Sequence, residues 1–458
     1  MRKIEMLVRV ALGAAALSLP AMAPDAAKPG PVQEKTVKAE YGTFGFDLAG
    51  MDRSVAPGDD FGQYANGTYL KNLVIPSDKS NYGMFTKLRD LSQERTRLIV
   101  EAAAARKDAQ PGSEAQKVGD FYASFLDEAA IEAKGLAPLK PHLDAIAAIH
   151  SRAELARVMG LANRVGVDMP LGIGPMQDLK NPDVYAVYVG QGGLGLPDRD
   201  YYLDVKNPKF AEIRGKYLSH IAAMLRLAGL ENPEARAKTV FELETKLATI
   251  HWSKVEERQM EKLYNPIQQD HLEGAYPGVG WAALLAAAGV QEQKELIIAH
   301  PSAIAGTGKL LASEPLEAWK DYLRFHTLES AAPYLPKAFV NENFAFNGTV
   351  LSGQPENQPR WKRGVDVTTH ALGEAVGKLY VAEYFPPQSK READLLVKNL
   401  IAAMDQRLAH LTWMDPKTKA EAREKLAKFT PKIGYPSKWR DYSKLEVRRG
   451  DALGNALR

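Results

Sequence analysis

A mainly α-helical fold is predicted by three observations. Apolar side chains recur at three- and four-residue intervals through most of the chain, residues that open and close helices bracket those runs, and strand-like alternation is confined to one short stretch. The chain is long enough for the cores such a fold needs: 458 residues, 45% hydrophobic and 25% charged, correspond to about two or three domains.

Taken in order, the first element is a targeting segment. Arg2 and Lys3 precede an apolar stretch from Val10 to Leu19, and Ala21-Met22-Ala23 supplies an A-x-A end, so residues 1–23 read as a signal peptide for export. Residues 24–43, rich in Ala, Pro, Lys and Glu, read as a tether. No later segment is apolar for the roughly twenty residues a membrane crossing needs, so no stable span is expected in the mature chain. Val118, Phe121, Phe125 and the Ala129/Ala130 pair predict a helix closed by Gly135. Ser151 with Glu154 is a capping box for the next helix. Leu171–Pro175 and Asp183–Val189 predict a small β-hairpin around the Asn181-Pro182 turn. Asn207-Pro208 opens a helix whose inner stripe is Phe210, Ile213, Tyr217, Ile221 and Met224, and Asn232-Pro233 opens another. Val397, Leu400, Met404, Leu408 and Leu411 form a late stripe, followed by a helix opening at Asp415-Pro416. No fixed-period repeat is present.

Composition removes several function classes. Lys+Arg 59 against Asp+Glu 56 leaves a net charge of only +3, so no nucleic-acid partner is expected. The absence of cysteine excludes disulfides, thiolate metal sites and a cysteine nucleophile. Gly190, Gly192 and Gly195 match G-x-G-x-x-G, but Leu196-Pro197-Asp198-Arg199-Asp200 follows instead of a helix whose dipole could meet a pyrophosphate; a tight turn is predicted. No G-x-S-x-G elbow occurs. Asp59-Asp60 reads as a helix cap. None of the nine histidines stands three to five residues from another, which excludes the H-E-x-x-H zinc helix, and His370 with Glu374 supplies at most two ligands.

Several blocks nevertheless carry a specific likeness. Val55-Ala56-Pro57-Gly58-Asp59-Asp60-Phe61, Tyr64-Ala65-Asn66-Gly67, Ile75-Pro76-Ser77-Asp78 and Tyr82-Gly83-Met84-Phe85 come first. Leu194-Gly195-Leu196-Pro197-Asp198-Arg199-Asp200-Tyr201-Tyr202, Gln358-Pro359-Arg360-Trp361-Lys362-Arg363, Gly377-Lys378-Leu379-Tyr380-Val381 and Lys432-Ile433-Gly434-Tyr435-Pro436 follow. Together they resemble the neprilysin and endothelin-converting-enzyme family of zinc metallopeptidases, in that family's order, from about Phe44 to Tyr442.

The resemblance implies a multi-helix cap domain over residues 44–442, part of an exported, periplasmic or extracellular peptidase that encloses oligopeptides above a thermolysin-like zinc domain. Zinc is the cofactor implied for the complete family enzyme, where it polarises the scissile carbonyl. The family's Asn-Ala strand, H-E-x-x-H helix and downstream glutamate have no match in the residues given. The catalytic segment is therefore expected to be a missing partner, residues 443–458 its truncated start, and the 458-residue chain is expected to bind no zinc and to be inactive alone. The alternative is a non-catalytic periplasmic helical module that binds peptides or a partner. By the same resemblance Arg89 stands where the family sends an arginine toward the primed side of the substrate, and Asn81 stands where a second arginine would be. Asn cannot replace a guanidinium fork on a carboxylate.

Overall fold

The computed structural model describes residues 47–458. The predicted signal peptide and tether lie outside them. The chain divides into two compact units, Met1–Val74 and Ile75–Arg458.

In the first unit, helix α1 spans Phe61–Asn72, and the Asp60 carboxylate caps it by accepting from the Gln63 amide at 2.9 Å. Asp60 thus does the capping that its place after a Pro-Gly turn predicts. Thr68 of α1 donates to the Met51 carbonyl, which holds the preceding turn against the helix.

The second unit is a helical array around a small sheet. It begins with α2 (Met84–Ala105), α3 (Glu114–Leu126), α4 (Glu128–Lys134), α5 (Lys140–Ala147) and α6 (Arg152–Arg164). The predicted helix over 118–134 is broken at Asp127, which ends α3 and whose carboxylate caps α4 by accepting from the Ala130 amide at 3.0 Å. The capping box opening α6 is present: Ser151 Oγ accepts from the Glu154 amide, and Glu154 accepts from the His150 amide. Strands β1 (Leu171–Gln177) and β2 (Tyr185–Gln191) form the predicted hairpin. After them come α7 (Asp200–Leu203), α8 (Pro208–Leu227), α9 (Pro233–Ile250), β3 (Asn265–Gln268), α10 (Leu272–Ala275), α11 (Trp281–Ala288) and β4 (Glu295–Ile298). The hairpin is therefore only half of the sheet. Its order is β1-β2-β4-β3, with β4 parallel to β2 and antiparallel to β3. The chain continues through α12 (Pro301–Ser313), α13 (Leu316–Ala331), α14 (Lys337–Asn343), a π-helical turn (Phe344–Leu351), α15 (Arg360–Tyr384), α16 (Pro387–His410), α17 (Pro416–Ala427) and α18 (Ala452–Leu457). No helix among the described residues is long and apolar enough to cross a membrane.

Two cores result. The larger lies between Leu139 and Phe346, with Leu453 added, and packs α6, α8, α9, α11 and α13 around the sheet. The smaller is made by α2, α3 and α15 with Tyr442 and Val447. In the smaller core Gly119 of α3 lies so close to the Ala103 carbonyl of α2 that a β-carbon has no room, which is why the two helices can approach there. Helix α15 kinks at Leu372 (φ −124°, ψ 34°), and Tyr442 Oη accepts from the Glu374 amide at 3.2 Å, replacing a helical bond with one from the end of the chain. That end is further held by buried Lys117, which donates to the Tyr442 carbonyl, and by Ser124, which accepts from the Gly450 amide. Arg360 links the start of α15 to the end of α3 and to α4. Its guanidinium donates to the Phe125 carbonyl from Nε (2.8 Å) and Nη2 (2.6 Å), pairs with Glu128, and lies over the Phe125 ring.

Candidate functional site

Arg89 and Asn81 flank the start of α2. Gly83 is the N-cap, so Asn81 lies in the extended approach and Arg89 in the second turn, and both side chains are exposed. Asn81 Nδ2 faces only Ser80 Oγ, at 3.4 Å. Around Arg89 the charged side chains are already paired: Lys79 with Asp90 at 2.7 Å, Lys362 with Asp78, and Gln93 with Asp366 at 2.8 Å. No carboxylate among the described residues lies within salt-bridge distance of Arg89. Its charge acts on Asp366 of α15, whose carboxyl is raised by desolvation, opposed by the Gln93 hydrogen bond and the charges of Lys79, Arg89 and Lys362. The Arg89 guanidinium thus stays exposed on this surface. Asn81 is placed on the same approach, without a charge to add.

The glycine-rich turn has a different task. Only the four-residue α7 follows Gly195 and its turn, so no helix N-terminus faces a phosphate. A β-carbon at Gly193 would strike the Tyr322 hydroxyl, and one at Gly195 the Tyr217 hydroxyl. Both tyrosines belong to a buried polar cluster centred on Glu244, which is fully buried on α9. Its carboxylate accepts from Tyr202 Oη (2.8 Å), Tyr217 Oη (2.9 Å) and pairs with His326 Nε2 (2.8 Å), while Tyr322 donates to the Gly193 carbonyl. Burial, and then the charge of Glu244, push the three phenols well above their ordinary range, so they act as fixed donors. Beside this cluster His220 is held between Glu329 and Glu342, at 3.0 Å each, and stacks on Phe346 of the π-helical turn. Burial opposes its charged form, but the hydrogen bonds and charges of the two glutamates prevail and raise it to about 9.

Sequence reasoning passed over both clusters, although their signal was present. Glu244 sits on the Val240–Leu247 face of α9, and His220 on the Tyr217–Met224 face of α8, where a polar residue on an apolar stripe demands a partner. A cleft of about 190 Å³ also opens beside the turn, lined by Gln191, Asp198, Arg199, His251 and Glu257. Buried His251 Nε2 has no hydrogen-bond partner, and burial together with the charges of His300 and Arg199 lowers this imidazole to about 4, so it is neutral at pH 7.

Metal ligands are not gathered among these residues. Glu374 gives a carboxylate oxygen to the Arg440 amide at 2.5 Å, and no group of three His, Asp or Glu side chains suited to a metal exists among the described residues. The described residues do not fit the zinc that the family likeness implies.

Comparison with known proteins decides the relationship. Residues 57–436 match the family model described as Peptidase family M13. The chain belongs to that family. It is 28% identical over 408 residues to endothelin-converting enzyme-like 1 of Mus musculus, a match covering 85% of this chain and 52% of the relative. With neprilysin-2 of Drosophila melanogaster it is 28% identical over 432 residues, covering 87% and 54%. The chain thus spans about half the length of the curated relatives it matches. Among solved structures, the Mycobacterium tuberculosis zinc metalloprotease ZMP1 bound to an inhibitor superposes with a TM-score of 0.85 at 37% identity, over 90% of this chain and 63% of that one. Within this M13 fold the motif blocks build the frame: Arg360 ties α15 to α3, Lys378 pairs with Glu114, and Gly434 (φ 75°) lets the chain turn beside the Phe385 ring.

Proposed function

We propose that these residues form the substrate-enclosing helical part of an exported zinc-dependent metalloendopeptidase that hydrolyses oligopeptides. The observation carrying this reading is the M13 match over residues 57–436, with ZMP1 overlaying 90% of the chain. In this reading the chain's residues bind and orient the peptide. Arg89, unpaired and exposed at the start of α2, takes the primed-side backbone or carboxylate. Asn81, eight residues earlier in the chain, leaves the enzyme with one guanidinium where the family resemblance implies two, so discrimination for a free C-terminus is weak. Zinc, implied by the family likeness, would be held by an H-E-x-x-H segment that these residues do not contain and would there polarise the scissile carbonyl as a Lewis acid.

The test is a fusion placing the C-terminal part of ZMP1 behind Arg458, assayed with quenched oligopeptides. Zinc-dependent cleavage by the fusion, and none by the 458-residue chain, is the expected result. Arg89→Ala should lower kcat/KM of the fusion about ten- to a hundredfold with zinc content unchanged. Cleavage by the 458-residue chain alone, or full activity without Arg89, would overturn the corresponding assignment.

A further inference from the structure

The cleft beside the glycine-rich turn is lined by a buried ring with an unused lone pair. His251 ends α9 as its C-cap and is only 6% exposed, yet its Nε2 has no hydrogen-bond partner. The hydrogen bond between this ring and the Gly192 backbone raises the imidazole, so the ring donates there and the Gly192 carbonyl accepts. Nδ1 therefore carries the proton, and Nε2 is left as an acceptor. A buried acceptor calls for a donor. The charges around it decide which kind. Arg199 already donates to the His251 carbonyl, and Lys254 pairs with Asp198 at 2.6 Å. Glu257 is less well matched: among the described residues it is engaged through Oε1 alone, by Gln191 Nε2 at 2.9 Å and His300 Nε2 at 3.6 Å. His300 accepts from the Gln191 amide with Nδ1, and burial holds this imidazole below its ordinary range. Asp168 lines the same cleft with no cation in salt-bridge distance among the described residues, and burial pushes its carboxyl up.

We infer that this cleft is a binding site for a small primary ammonium group, one N–H of which donates to His251 Nε2 while Glu257 and Asp168 meet its charge. Its volume of about 190 Å³ lies well below the roughly 300–1,000 Å³ of pockets for drug-sized ligands. The ligand is therefore a free amino acid or the amino terminus of a peptide whose remainder stays outside. An anion fits poorly, because both cations are engaged and the neutral Nε2 offers it no proton. A metal ion fits no better, since no third ligand joins His251 among the described residues. The site is independent of the peptidase reading: neither zinc nor a catalytic segment enters it.

Calorimetry on the 458-residue chain tests it with methylammonium, glycine, glycinamide and N-acetylglycinamide. Methylammonium and glycinamide should bind in the millimolar range, as suits ligands of a few atoms, and N-acetylglycinamide, which lacks the ammonium, should not bind. Tighter binding of glycinamide than of glycine identifies a peptide amino terminus as the source, and the reverse a free amino acid; either supports the site. His251→Asn keeps a side-chain N–H near the Nδ1 position and removes Nε2, and should weaken binding about tenfold. Glu257→Gln, at a half-buried residue of the short turn Glu256–Arg258, should weaken it about as much and carries the test if the His251 variant does not fold. Lys254→Ala frees the Asp198 carboxylate and should tighten ammonium binding about threefold, an effect that a merely structural His251 does not produce. The inference is wrong if neither amine binds in that range, if N-acetylglycinamide binds as well as glycinamide, or if binding survives both His251→Asn and Glu257→Gln. It is equally wrong if acetate or inorganic phosphate binds and Lys254→Ala weakens it, or if one equivalent of zinc binds and His251→Asn releases it.

Discussion

The large core between Leu139 and Phe346 and the α16–α17 hairpin are assembled from the same kinds of helix, with the same kinds of cap. Asn207 opens α8 and Asp415 opens α17, each by accepting from amides of the first turn. Yet α8 buries Ile213, Tyr217, His220, Ile221 and Met224, whereas α16 and α17 bury nothing. Local helix chemistry is equal in the two regions; what differs is how far the apolar side is buried by the rest of the described residues. The first is a closed interior in which Glu244 and His220 find their partners among side chains. The second leaves Leu396, Leu400 and Met404 exposed.

Four measurements break or sharpen this contrast. Glu244→Ala should be the most damaging, because it leaves Tyr202, Tyr217 and His326 buried without their acceptor, costing about 3–5 kcal/mol in urea unfolding. A loss below about 1 kcal/mol would mean that the large core tolerates an open polar cluster. Next is the pH response of His220. Its folded pKa of about 9 lies above the unfolded value near 6.5, so its contribution is complete below about pH 6.5 and is lost as pH rises through 9. Unfolding followed from pH 6 to pH 10 should show about 3 kcal/mol of this loss, and His220→Gln should remove the dependence. Arg360→Ala, which frees the Phe125 carbonyl and unstacks the ring, should cost about 2 kcal/mol by the same assay. The smallest effect belongs to Leu400→Ala in the 458-residue chain, within about 0.5 kcal/mol, because this leucine has no interior to leave. A large effect there would show that the hairpin is already buried in solution.

The two regions also explain what could be read beforehand. Helix openings at Ser151, Asn207 and Asp415 were legible because capping is decided within a few residues. Strand β4 was not: Leu296-Ile297-Ile298 is a short apolar run whose identity as a strand comes from pairing with Tyr188 and Val189, more than a hundred residues away. The break at Asp127 was missed because the apolar spacing continues across it while the carboxylate starts a new helix. The late stripe was read as one, through Leu400 and Met404, but periodicity reports an apolar side and never its occupant. Of the candidate site, Arg89 and Asn81 came from the resemblance, and their exposure could not be read from spacing. Glu244 and His220 were written into apolar stripes and could have been flagged by that conflict alone.

The small core places the chain's own synthesis under a constraint. Val100 and Ala103 of α2 and Val118 and Phe121 of α3 are completed by Val365, Leu372 and Val376, and finally by Tyr442 and Val447. At about 5–20 residues per second, α2 leaves the ribosome roughly 20–70 seconds before Val447 does. The large core, nearly all of it finished by Phe346, can close during that interval. Helices α2 and α3 must meanwhile wait with their apolar sides open, so this early pair is the portion of the nascent polypeptide that a chaperone has longest to hold.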